Sequence, residues 1–222
     1  MSCCPVTAEP PAGAAPHSGS IKTFGSTTLY VAGPASAKSG ILAFPDIFGL
    51  DSGRTKADAD ALGKLGYAVV VVDLAAGDYL DPETFQASFG EWVAKNSFDV
   101  LSARINDAVS YLKTEAGAET FASYGYCWGS WIGATLTASA TPTVAGHVSF
   151  HPTWNLENMV HGDNAILKGR ADVGARSSVV DFPDQKHGWV HRGDLADEAT
   201  KEAVKKAWHT AIKFIQTVNP PQ

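Results

Sequence analysis

The sequence predicts an α/β fold, a mostly parallel sheet with helices on both faces. Three observations carry this. Gly40–Phe44 and Ala68–Val72 are short runs without charge, the pattern of strands covered on both sides. Between them, Ser52–Leu65 reads as a helix, and strand, helix, strand argues a right-handed parallel crossover. Finally, the β-prone run Thr120–Tyr124 passes through Gly125-Tyr126-Cys127-Trp128-Gly129 into the small, apolar, helix-compatible segment Ile132–Ala140.

The totals bound the rest. A chain of 222 residues with 45% hydrophobic and 18% charged residues suits one domain with an ample core. Residues 1–20, rich in Pro, Ala, Gly and Ser, read as an irregular arm before a single domain over 21–218. A formal charge of −6 with no basic cluster argues against nucleic-acid binding. No apolar run approaches the length of a bilayer span. No charged-then-apolar leader opens the chain, so a cytoplasmic location is expected. The three cysteines include the adjacent pair Cys3-Cys4 and make no disulfide framework. A reducing compartment suits a free Cys127. No second Cys/His pair lies at ligand spacing from Cys3-Cys4, so no metal is expected. The expected assembly is a monomer or weak homodimer.

In chain order, Ile21–Phe24 and Thr27–Ala32 form a hairpin around Gly25-Ser26. Gly40–Phe44 is the next strand, followed by the loop Pro45-Asp46-Ile47-Phe48-Gly49. The helix over Ser52–Leu65 turns Ala57, Ala61, Leu62 and Leu65 inward and is closed by Gly66. Ala68–Asp73 is the strongest strand signal. Helices cover Pro82–Lys95 and Phe98–Glu115, the second burying Leu101, Ile105, Val109 and Leu112. The strand Thr120–Tyr124 and its helix follow, then a strand over Val144–Phe150 running into His151-Pro152. Residues 153–176 are weakly patterned. Ser177–Phe182 reads as the last strand, followed by the loop of His187-Gly188-Trp189. The closing helix, Asp197–Thr217, buries Val204, Trp208, Ala211, Ile212 and Ile215.

In open parallel sheets, ligands bind beyond the carboxyl ends of the strands. Asp46, Cys127, His151 and His187 all stand just after predicted strands. Gly125-x-Cys127-x-Gly129 has the form of a nucleophile elbow with cysteine as the attacking residue. The flanking glycines permit close backbone approach, and a helix N-terminus favours the thiolate. Such a nucleophile needs a base, and the base needs an orienting acid. His187, after the last strand, fits the chain order nucleophile, acid, histidine. His151 is placed at the pocket rim. His17, His147, His161, His191 and His209 read as solvated or packing residues. The amides of Trp128 and Ile47 supply an oxyanion hole. Asp46 stands where it can accept a hydrogen bond from the resting Cys127 thiol. Trp128, Trp154, Trp189, Phe48 and Tyr79 suggest an apolar-walled pocket. No pair of carboxylates is marked out for glycoside chemistry.

Four motifs together resemble the dienelactone hydrolase family, a cysteine branch of the α/β-hydrolases: Pro45-Asp46-Ile47-Phe48-Gly49, Gly125-Tyr126-Cys127-Trp128-Gly129, Phe150-His151-Pro152, and Phe182 to Trp189 with Arg192-Gly193-Asp194. The likeness spans roughly residues 20–218. It implies an α/β-hydrolase fold, Cys127 as nucleophile, His187 as base and Asp46 as the carboxylate touching the resting thiol. It also implies opening of lactones or other small esters with no metal or organic cofactor. One departure stands out. The family places a buried strand, the triad aspartate and a helix between the His-Pro strand and the last strand, and 153–176 is short for that. One late strand is therefore expected to be absent or shortened. Asp163, in a Gly-Asp turn after Met159-Val160, is the preferred acid. Asp172 is its rival, and a missing acid loop is the third alternative. The function expected is a cysteine-dependent ester or lactone hydrolase. The alternative is a binding protein of the same fold that has lost its acid region.

Overall fold

The computed structural model describes residues 7–138, 142–153 and 177–222. Strands β1 (Ser20–Phe24), β2 (Thr27–Ala32), β3 (Ser39–Phe44), β4 (Ala68–Val72), β5 (Thr120–Tyr126) and β6 (His147–Phe150) form a sheet in the order β1-β2-β4-β3-β5-β6. The pairs β1·β2 and β2·β4 are antiparallel, and β3·β4, β3·β5 and β5·β6 are parallel. Helices are α1 (Thr55–Gly63), α2 (Phe85–Lys95), α3 (Phe98–Thr114), α4 (Trp128–Thr137), the short α5 (Trp189–Arg192) and α6 (Glu198–Val218).

The uncharged runs behave as two-sided strands must. Leu42, Phe44, Val70 and Val72 face one core with Leu101, Ile105, Val109 and Leu112 of α3. Ile41, Ala43, Val69 and Val71 face the other, with Ala59 and Leu62 of α1 and Ala207, Ala211 and Ile215 of α6. Successive residues point to opposite faces, so an unbroken apolar strand fills both layers. No described helix is long and apolar enough to cross a membrane.

Two expectations about elements are corrected. The stripe on α1 is phased differently. Ala61 and Leu65 face solvent, and the buried positions are Thr55, Lys56, Ala59, Asp60, Leu62 and Gly63. That face is half polar, which hides it from a hydrophobicity pattern, and its charges are paired. Lys56 reaches Asp51 at 2.6 Å, and Asp60 accepts hydrogen bonds from the Tyr30 hydroxyl at 2.6 Å and the Ser18 hydroxyl at 3.0 Å. The second correction is Ser177–Phe182, which forms no strand. Val179 and Val180 are 69% and 43% exposed. Strand propensity alone does not make a strand: it takes a neighbour to accept its hydrogen bonds, and among the described residues none pairs with this run.

The described part of the arm lies along the loops at the strand ends. Gly53 N–H donates to Ala12 O at 2.8 Å, Ala15 N–H to Gly53 O at 2.7 Å, and Glu9 N–H to His187 O at 2.8 Å.

Candidate active site

The site is built where β5 meets α4. Cys127 caps α4 with φ 53° and ψ −117°, a conformation that costs a non-glycine residue about 1–3 kcal/mol. The sharp turn explains both glycines. A Cβ at Gly125 would overlap the backbone of Gly129, and one at Gly129 would overlap the carbonyl oxygens of Phe44 and Pro45. The turn is tied to β6: Cys127 N–H donates to Phe150 O at 3.1 Å, and Thr153 N–H returns a bond to Cys127 O at 3.2 Å. Trp128 is the first residue of α4, so its amide has no acceptor within the helix. Ile47, fully buried, lies in the loop after β3, and its carbonyl is taken by Leu80 N–H at 3.1 Å.

The sulfur is buried. Its Sγ lies 3.4 Å from the Thr153 hydroxyl, and that hydroxyl lies 3.5 Å from Nε2 of His187. Cys127 and His187, sixty residues apart, are therefore both one hydrogen bond from the same oxygen. His187 also meets His151 edge-on, with ring centroids 4.8 Å apart.

Asp46 has other partners than the expected thiol. Its carboxylate accepts from His191 Nε2 at 2.9 Å, Ser52 Oγ at 3.0 Å and the Phe48 amide at 3.0 Å, and it faces the Arg192 guanidinium at 3.5 Å. Burial pushes the Asp46 carboxyl up, but His191, Arg192 and the Phe48 amide outweigh it and hold the group below its ordinary value. Burial depresses His191, and the pull of Asp46 does not restore it. The consistent assignment is an ionised Asp46 compensated by Arg192, with a neutral His191 donating from Nε2. Nδ1 of His191 then accepts from Nε2 of His151, 3.2 Å away. His151 is held far below its ordinary value, first by burial and then by the neighbouring side chains His191, His187 and Arg192.

His191 is the main residue that sequence reading missed. Far from being a packing residue at the margin, it joins Asp46 to His151 and stacks on Tyr126, with ring centroids 4.2 Å apart. Its signal is its spacing, four residues after His187, so that α5 and the turn just before it present the two imidazoles. Arg54 was also missed. It donates to Gly193 O at 2.8 Å, Val190 O at 2.7 Å and Trp189 O at 3.3 Å, fastening α5 to the loop before α1. His147 does pack: it sits against Gly133 and bonds Ser123 Oγ at 2.8 Å, and burial lowers its pKa to about 3. Phe48 and Tyr79 pack on the core cluster that holds Cys127 and Trp128. Asp163, its rival Asp172, Trp154, His161, Cys3 and Cys4 lie outside the described residues. No cluster of metal-ligating side chains occurs among the described residues.

Comparison with known proteins agrees with this architecture. A carboxymethylenebutenolidase homolog of Rattus norvegicus is 24% identical over 82% of this chain and 83% of its own length. An endo-1,3;1,4-beta-D-glucanase of Zea mays is 27% identical over 75% of the chain, which spans about half (52%) of that protein. Among solved structures, a protein called m3DLH superposes with a TM-score of 0.60 at 19% identity, over 92% of this chain and 98% of its own. Esterase 2 of Thermogutta terrifontis, phosphonylated by sarin, gives a TM-score of 0.62 at 12% identity, over 90% and 95%. At such identities these structures speak for the fold. Residues 28–168 match the model of the dienelactone hydrolase family, and the chain belongs to that family.

Proposed function

We propose that the protein is a cysteine-dependent hydrolase of a small ester or lactone that works through a thioester and without a cofactor. The observation that carries this is the pairing of a left-handed Cys127 at a strand-to-helix turn with His187, joined through one hydroxyl. A backbone strained in this way holds the sulfur up at a helix N-terminus, where thiolate is favoured. The names of the carboxymethylenebutenolidase homologs among its relatives support a lactone or related ester.

The chemistry follows from the groups present. His187 takes the thiol proton, and the thiolate attacks the carbonyl carbon. The oxyanion accepts from the amides of Trp128 and Ile47. The intermediate collapses, the alkoxide leaves with the proton from His187, and the acyl group stays on sulfur. His187 then deprotonates a water that attacks the thioester, and the acid departs as thiolate is restored. Asp163 is the proposed orienter of His187. Asp46 acts from behind the site, through His191.

The test is hydrolysis of p-nitrophenyl esters and lactones by the wild type, Cys127→Ala and His187→Ala. Loss of at least a thousandfold in kcat is expected in both variants. Unchanged turnover in either variant refutes the assignment.

A further inference from the structure

We propose that Thr153 is a catalytic residue of this site: its hydroxyl carries the proton of the Cys127 thiol to Nε2 of His187. The proposal deepens the reading of Cys127 and His187 given above and rests on it. Thr153 Oγ1 lies 3.4 Å from Sγ and 3.5 Å from Nε2, so both groups address one oxygen. A hydroxyl suits the position because it accepts and donates at once. Hydrogen bonds in resting catalytic sites are long and tighten in the reactive complex.

The main chain holds the relay in place. Thr153 N–H donates to Cys127 O, and Cys127 N–H donates to Phe150 O. The strand-end turn that carries Thr153 is thereby bonded to the nucleophile's own peptide groups. His151, with φ 37°, makes that turn and sets its ring against His187. Pro152 and the left-handed His151 thus bring the next residue, Thr153, back over the sulfur.

The step balances. The S–H proton passes to Thr153 Oγ1 while the Thr153 O–H proton passes to Nε2 of His187. The products are a thiolate, an imidazolium and an unchanged hydroxyl. When the leaving group departs, the proton on His187 goes to it directly.

Iodoacetamide alkylation of Cys127, followed from pH 5 to 10, tests the relay without any ester. The wild type, Thr153→Val, Thr153→Ser and His187→Ala are compared. His151, His191, Arg192 and Asp46 are present in all four, so differences report the hydroxyl or the imidazole. In Thr153→Val, alkylation at pH 7 is expected to slow at least tenfold and the inflection to move toward that of a free thiol, about 8.5. Thr153→Ser is expected to stay within about threefold of the wild type. Coincident profiles for wild type and Thr153→Val overturn the relay. If Thr153→Val does not fold, Thr153→Ala against Thr153→Ser carries the same contrast, and equal rates in those two overturn it. A profile that moves in His187→Ala but not in Thr153→Val sinks the relay alone. One unmoved in His187→Ala sinks both the relay and the Cys127–His187 pairing beneath it.

Discussion

Oδ2 of Asp46 lies 2.9 Å from Nε2 of His191 and 3.5 Å from the Arg192 guanidinium, and all three side chains are buried. Removing one partner of a buried pair leaves a charge without compensation, which costs about 3–5 kcal/mol. Asp46→Ala is therefore expected to lower the urea midpoint sharply at pH 7. Adding Arg192→Met is expected to recover part of the loss. The sign with pH is also set. The folded Asp46 is more acidic than the unfolded one, so its contribution is present above about pH 4 and is lost as pH falls through the folded value. Urea melts at pH 3 and pH 7 should differ less in Asp46→Ala than in the wild type.

Asp58 has the opposite dependence. It accepts from the Tyr126 hydroxyl at 2.6 Å, and burial raises its pKa to about 7 against the pull of Tyr126 and Arg54. A carboxyl raised in the folded state contributes stability below its unfolded value near 4, and loses it as pH rises to 7. In Asp58→Asn, which keeps an uncharged partner for Tyr126, the Tm should change less between pH 4 and 7. A kcal/mol is about 2–4 °C for a chain of this size.

The strained backbone at Cys127 makes an unusual substitution informative. With φ at 53° and ψ at −117°, glycine is the residue this position prefers on conformational grounds. Cys127→Gly is expected to exceed Cys127→Ala in stability by about 1 kcal/mol, although glycine ordinarily weakens a fold. Thermal melts of the two variants decide this.

Arg54 reaches three carbonyls of the α5 segment, from Trp189 to Gly193. Arg54→Lys cannot span them, since a single ammonium lacks the planar fork. We expect hydrogen exchange to rise over residues 186–193, and kcat on an ester substrate to fall about tenfold or more with a smaller change in KM. A variant indistinguishable from wild type in exchange would show that α5 is held by its other contacts.

Much of this site is legible in the residues themselves. Gly125, Cys127 and Gly129 announce the turn because only glycine fits where the chain approaches Phe44 and Pro45. The uncharged runs of β3 and β4 announce a covered sheet because each residue has a core to face. What stays hidden depends on contacts across the chain. Nothing near Asp46 in sequence says that its carboxylate will face His191, 145 residues away, instead of the thiol. Nothing in the apolar pattern of α1 marks Lys56 and Asp60 as buried, because their partners, Asp51 and Tyr30, lie outside the helix. Val179 and Val180 mislead for the converse reason, since β-branched residues carry strand preference even where no ladder among the described residues receives them.

Two main-chain bonds, Cys127 N–H to Phe150 O and Thr153 N–H to Cys127 O, hold the turn whatever side chains surround it. The backbone seat of Cys127 is therefore set independently of the side chains of Phe48 and Tyr79. On the proposed function, a laboratory-evolution library confined to Phe48 and Tyr79 is expected to change which esters are turned over while the Cys127 backbone stays in place. On that reading, the scaffold separates the tuning of selectivity from the upkeep of reactivity.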